Sequence, residues 1–69
     1  MKKKEVNKLK SGVYWLYWKE GGRSLAAVGI TSKGNRWMAP TNWTTVSTER
    51  KHWKAVETVK SLIKADLIE

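Results

Sequence analysis

The side chains in this sequence that are best suited to chemistry are flat aromatic rings and positive charges. The chain has five tryptophans and two tyrosines, and fourteen Lys and Arg against six Asp and Glu give it a net charge of +8. Aromatic rings stack on other flat rings, and lysine and arginine bind phosphate groups. The composition therefore points to nucleic acid as a partner, or to an acidic protein surface.

Groups for catalysis are scarce by comparison. His52 is the single histidine, and the one aspartate, Asp66, lies far from it along the chain. The glutamates are scattered through polar segments, so general acid–base or nucleophilic catalysis has no candidate pair. There is no cysteine, and no glycine-rich loop opens a helix, so neither a zinc site nor a nucleotide cofactor is expected. The sequence predicts a protein that is not an enzyme and that uses no metal or cofactor.

The length of 69 residues allows one small domain with a thin core. The lack of cysteine fits a reducing cytoplasm. No apolar run approaches the ~20 residues of a membrane span, and the basic start is not followed by the apolar run of a secretory signal. We therefore expect a cytoplasmic protein with no membrane partner.

Three segments have the aromatic and β-branched composition of strands, separated by turn residues. They run over residues 13–19, 24–31 and 36–39. Gly21-Gly22 is the first turn, Ser32–Asn35 is the second, and Pro40 ends the third strand because proline cannot donate to a ladder.

From about residue 48 the apolar residues change to a helical period. One stripe holds Trp53, Val56, Val59, Ile63 and Leu67. The predicted fold class is α+β: a three-stranded antiparallel meander packed against one C-terminal helix, which follows an N-cap at Ser47 or Thr48 and runs to about Leu67. Residues 1–11, with five lysines, are predicted to form a flexible basic arm, and residues 12–69 a single βββα domain.

The two turns decide which residues share a face of the sheet. A two-residue loop at Gly21-Gly22 places Trp15 opposite Val28, and the second turn places Met38 opposite the same valine. The face under the helix then holds Val13, Trp15, Tyr17, Ala26, Val28, Ile30 and Met38. The other face holds Tyr14, Leu16, Trp18, Leu25, Ala27, Gly29 and Trp37. Because one helix covers one face, this second face is predicted to be an exposed aromatic patch.

The predicted binding surface combines rings of that face with cations at the strand ends and in the arm. It consists of Tyr14, Trp18, Trp37, Lys19, Arg23, Lys33, Arg36, Lys2, Lys3 and Lys4. Bases would stack on the rings while the lysines follow the phosphates. Three of the fourteen cations are arginine, the better reader of bases, so low sequence specificity is expected.

Two other hypotheses use the same residues. The chain could be a small protein-binding module or inhibitor that docks its aromatic and basic face on an acidic partner protein. It could also be a homodimer that buries this face on a twofold axis. The sequence leaves monomer and homodimer open.

The predicted order of elements over residues 13–67 is similar to that of the small sheet-based DNA-binding domains of plant ethylene-response-type factors and the arm-type domains of phage and transposon integrases. Such a resemblance implies a sheet that lies in the major groove, and it favours DNA over RNA. It is one of element order and transfers no site residues. Length, basicity and aromatic content are also similar to those of small archaeal chromatin proteins with a five-stranded barrel and a terminal helix.

Overall fold

The protein is built around one antiparallel sheet of five strands. The computed structural model describes residues 1–41 and 44–65. The strands are β1 (Gly12–Trp18), β2 (Arg23–Ile30), β3 (Arg36–Pro40), β4 (Val46–Ser47) and β5 (Val59–Lys64). They lie in the order β4-β3-β2-β1-β5, so β1 has a neighbour on each side.

Three short helical segments accompany the sheet. They are α1 (Lys3–Val6), a 3₁₀ turn (Arg50–His52) and α2 (Trp53–Glu57). None of the helices in residues 1–41 and 44–65 is long and apolar enough to cross a membrane. The α+β class is confirmed, and each of the three predicted strands is found within one residue of its predicted ends.

The prediction of a long C-terminal helix is wrong. The helix α2 ends at Glu57, and the chain then enters β5, which pairs antiparallel with β1 and places Leu62 opposite Leu16. Residues 59–64 fit a helical stripe, but as a strand they supply hydrogen bonds to an edge of β1 that would otherwise lack them. Tertiary pairing therefore overrides the local pattern. The predicted helix end at Leu67 lies outside the described residues.

The first hairpin has a different register from the predicted one. Trp15 lies opposite Leu25 instead of Val28, a shift of three residues. The loop is longer than two residues because Trp18 already pairs with Gly22: its N–H donates to the Gly22 carbonyl at 3.2 Å. Gly21 and Gly22 have φ values of 111° and 82°, which glycine tolerates best. An odd shift moves every β1 side chain to the other face of the sheet.

The second hairpin has the predicted register. Met38 lies opposite Val28, and the Thr31 N–H donates to the Asn35 carbonyl at 2.8 Å across the turn. The faces predicted for β3 and for most of β2 are therefore confirmed, whereas those predicted for β1 are exchanged.

The hydrophobic core lies on one side of the sheet, which we call the inner face. Its sheet members come from all five strands: Tyr14, Leu16, Ala26, Val28, Met38, Val46, Val59 and Leu62. Val6 of α1 and Val56 of α2 cover them from above, and both are fully buried. Trp53 and Trp18 pack against the edge of this cluster.

The N-terminal segment, predicted to be a flexible arm, packs on the inner face. Besides burying Val6, it accepts hydrogen bonds from three side chains outside it, two of which are distant in sequence. Arg36 Nε donates to the Leu9 carbonyl at 2.7 Å, Tyr14 Oη to the Lys10 carbonyl at 2.8 Å, and Thr48 Oγ1 to Asn7 Oδ1 at 2.6 Å. The N-terminal segment packs there because the short α2 cannot cover the inner face alone.

The element order that carried the first resemblance is not found, since β4 joins the sheet just before the expected helix and β5 within its predicted range. The structure has five strands, as the archaeal chromatin proteins do, but its described part ends on β5 rather than on a helix. Neither resemblance therefore extends to the full order of elements.

If the N-terminal segment is part of the fold, removing apolar volume from Val6 must destabilise the whole domain. We expect Val6→Ala to lower the free energy of unfolding by about 2 kcal/mol, because the lost methyl groups leave a cavity. Chemical denaturation measures this loss.

Val13→Ala is the matched control, because it makes the same change at a half-buried position of the sheet. We expect it to cost less than about 1 kcal/mol. Equal costs for the two variants would contradict the packing of residues 1–11 on the core.

Candidate functional site

The side of the sheet opposite the core, which we call the outer face, carries an aromatic and aliphatic surface. Cross-strand pairing places its residues in rows: Tyr17, Arg23 and Ser61; Trp15, Leu25 and Ile63; Val13, Ala27 and Ala39; and Gly29, Trp37 and Ser47. The described helices pack on the inner face. The rings of the outer face are half-buried, and Ile63 is 56% exposed. Large apolar side chains are thus open to a partner.

The indole of Trp37 packs against Gly29 of the neighbouring strand. A Cβ atom at residue 29 would overlap the indole of Trp37, so only glycine leaves room for the ring there. The ring is therefore held against β2 at this position. Part of the ring remains accessible to a flat ligand, since Trp37 is half-buried rather than buried.

Trp15 is capped by a cation. The Arg23 guanidinium carbon lies 4.2 Å from the centroid of the Trp15 ring, which is a cation–π contact. The pair presents a planar guanidinium that can itself stack on a base or bind a phosphate oxygen. Arg23 is the only cation in the outer-face rows, and Trp15 is one of the largest rings of the outer face.

Most positive charges form no salt bridge with the carboxylates of the described residues. All fourteen Lys and Arg lie in the described residues, and the single salt bridge found there joins Lys51 to Glu49 at 3.6 Å. Both partners are partly exposed, so this pair neutralises little. The remaining cations add up to a positive field around a small domain.

Three of the predicted site residues serve the fold. Tyr14 is buried in the core, and Trp18 packs against it with Nε1 3.5 Å from Ser24 Oγ. Arg36 uses Nε to hold the Leu9 carbonyl and Nη1 to hold the Gly34 carbonyl at 2.8 Å. Through these contacts the three side chains stabilise the inner face and the N-terminal segment.

The other predicted residues are accessible. Arg23 and Trp37 lie on the outer face, and exposed lysines stand in the turn after β1, in the turn after β2 and in the N-terminal segment. These lysines are Lys19, Lys33, Lys2, Lys3 and Lys4. They surround the sheet from several sides, so the structure does not gather them into one site with Trp37.

Sequence reasoning missed Trp15, Tyr17 and Ile63 as members of the exposed face. The signal that could have placed the two rings is the length of the first loop, since a three-residue loop Lys19–Gly21 reverses the faces of β1. Ile63 could be placed only with the knowledge that residues 59–64 form a strand.

Ser47 and His52 form the closest approach to a catalytic pair in the described residues. Ser47 Oγ lies 2.8 Å from His52 Nδ1, but the Ser47 N–H also donates to this nitrogen at 3.2 Å. Ser47 is 7% exposed, and its hydroxyl accepts from the Glu49 N–H at 3.4 Å. These bonds close the turn between β4 and the 3₁₀ segment, which is a structural task.

Comparisons with protein-family models, with curated proteins and with solved structures each find no match to this chain. The functional proposal is therefore based on the outer face and on the charge distribution.

The position of Trp37 can be tested by filling the space beneath it. We expect Gly29→Ala to lift the indole off β2, while the backbone tolerates the change because Gly29 does not have a positive φ. In the wild type the ring shields the Gly29 Hα protons, which should resonate far upfield in the NMR spectrum.

Trp37→Leu is the control, because it removes the ring and leaves Gly29 in place. It should abolish the upfield shift without altering the amide shifts of distant strands. Trp37 ring signals that do not move in Gly29→Ala would contradict the packing of the indole on Gly29.

Proposed function

We propose that this protein binds single-stranded nucleic acid, DNA in the first instance, on its outer face and with little sequence preference. Trp37, Tyr17 and the stacked Trp15–Arg23 pair receive successive bases, and surrounding lysines contact phosphates. The single observation that carries the proposal is this set of accessible rings on one side of the sheet, in a domain of net charge +8.

The rings favour a single strand over a duplex. Bases of a single strand can turn outward and stack on protein rings, whereas duplex bases are already stacked on one another. Each base stacked on an aromatic side chain contributes ~1–3 kcal/mol, whatever its identity. A sheet that offers rings in adjacent rows therefore supports affinity without sequence readout.

The cations supply the second part of the affinity. Lys19 and Lys33 are exposed in the turns at opposite ends of β2, so a strand that crosses the sheet can meet either one. Lysine is a compact point charge that holds phosphate without reading bases. The preference for DNA and the cytoplasmic location follow from the sequence argument above and belong to the proposal.

Salt dependence separates the two contributions to binding. If roughly four cations contact phosphates, log K for a thymidine oligonucleotide should fall with log[salt] at a slope of about −3. We expect Trp37→Leu to weaken binding by about 1–3 kcal/mol at every salt concentration, since stacking is not ionic. Lys19→Gln with Lys33→Gln should instead flatten the slope by about 1.

Ile30→Ala is the matched control for Trp37→Leu. Ile30 is an exposed apolar residue, 52% accessible, on the opposite side of β2 from Gly29. Its removal should leave affinity unchanged. If the folded protein binds both DNA and RNA strands more weakly than millimolar at low salt, the proposal is wrong. If it binds a duplex more tightly than a single strand, the ligand is double-stranded DNA.

A protein partner is the second candidate, and one observation favours it. Apart from Arg23, the outer-face rows carry no charge, and Val13, Leu25 and Ile63 extend the apolar surface beyond the rings. Tryptophan, tyrosine and arginine are also the usual hot spots of protein interfaces. An acidic protein partner, or a second copy of this chain, would bury this face. A nuclease-resistant complex that Trp37→Leu disrupts, or dimerisation in sedimentation equilibrium, would support this reading.

A further inference from the structure

A second surface with a ring and positive charges lies on the side of the sheet away from the outer face. It is a shallow cleft of about 270 Å³, lined by Lys3, Thr48, Arg50 and Trp53. Lys3 belongs to α1 and Arg50 to the 3₁₀ turn, so the cleft exists only because the N-terminal segment packs on the core. Of its lining residues, only Lys3 belongs to the predicted nucleic-acid-binding surface, and that prediction rests on the sequence alone.

The charges of the cleft are unbalanced. Its two ionisable side chains are both cations, and neither forms a salt bridge with a described residue. A neighbouring cleft also reaches Trp53 but includes the carboxylates of Glu5 and Glu57 among its lining residues. Two cations that face one space repel each other, and an anion between them removes that cost. The charge pattern of the first cleft therefore favours a negative group over a positive one.

The remaining two lining residues are a fully buried threonine and a tryptophan. The Thr48 hydroxyl is already bonded, because it donates to Asn7 and accepts from the Arg36 N–H at 3.0 Å. Trp53 packs against the core with part of its surface and lines both clefts with the rest. An indole beside two cations suits a ligand in which a flat ring lies close to a phosphate.

We propose that this cleft binds a nucleoside phosphate, with Arg50 and Lys3 on the phosphate group and Trp53 stacked on the base. Arginine can hold two phosphate oxygens at once, and lysine adds a point charge. The ligand is either a free nucleotide or the terminal nucleotide of a strand. The inference stands on the cleft alone and does not depend on the outer face.

The test is a titration of ¹⁵N-labelled protein with adenosine monophosphate, followed by NMR. Millimolar nucleotide should shift the indole N–H signal of Trp53 and the amides of residues 48–53. Adenosine and inorganic phosphate, the two halves of the ligand, should each produce weaker shifts. The double variant Lys3→Gln with Arg50→Gln should bind roughly tenfold or more weakly, because charge-assisted hydrogen bonds are lost.

Two exposed lysines outside the cleft provide the matched control. Lys8→Gln with Lys64→Gln removes the same charge and should leave the affinity for the nucleotide almost unchanged. Trp37→Leu should also leave the Trp53 shifts intact, which separates this site from the outer face. No shift at Trp53, equal shifts with phosphate alone, or equal loss in the lysine control would overturn the proposal.

Oligonucleotides with and without a 5′-phosphate distinguish the sources of the ligand. Shifts at Trp53 that require the 5′-phosphate would assign the cleft to a strand end. Shifts with adenosine monophosphate but with neither oligonucleotide would assign it to a free nucleotide. Both results support the site.

Discussion

The pairing of β1 on both of its edges is the constraint on which the rest of the structure depends. Its hydrogen-bonding groups meet β2 on one side and β5 on the other, so the most aromatic segment of the chain becomes an interior strand. This pairing requires residues 59–64 to be extended, which limits α2 to five residues. It also fixes the direction of each β1 side chain, and therefore which rings enter the core.

A domain of this size can cover only one side of such a sheet. The inner face is closed by two short helical segments, and Val6 has to come from the N-terminal segment because α2 alone is too short. Nothing comparable lies over the outer face among residues 1–41 and 44–65. The accessible rings and the cleft beside Trp53 thus have a common origin. The segments that close the core create the cleft and leave the outer face uncovered.

The sequence predicted what depends on local composition and missed what depends on distant pairing. Strand positions and the second turn were correct because aromatic and β-branched residues alternate with clear turn signals, and this placed Trp37 on the right face. The faces of β1 depended on one loop length, so Trp15 and Tyr17 were assigned to the core and Tyr14 to the site. Residues 59–64 fit a helix and a strand equally well, and only the free edge of β1 decides between them. Val6 stands alone among polar residues, so the local sequence could not predict its burial.

Cross-strand nuclear Overhauser contacts of β1 test the central claim most directly. The account predicts contacts from Leu16 to Ser24 on one side and to Leu62 on the other, together with contacts between Tyr14 and Ala26. Contacts from Trp15 to Val28, combined with the consecutive amide–amide contacts of a helix through residues 59–64, would contradict it. In that case Trp15 and Tyr17 would face the core, and the outer face described here would not exist.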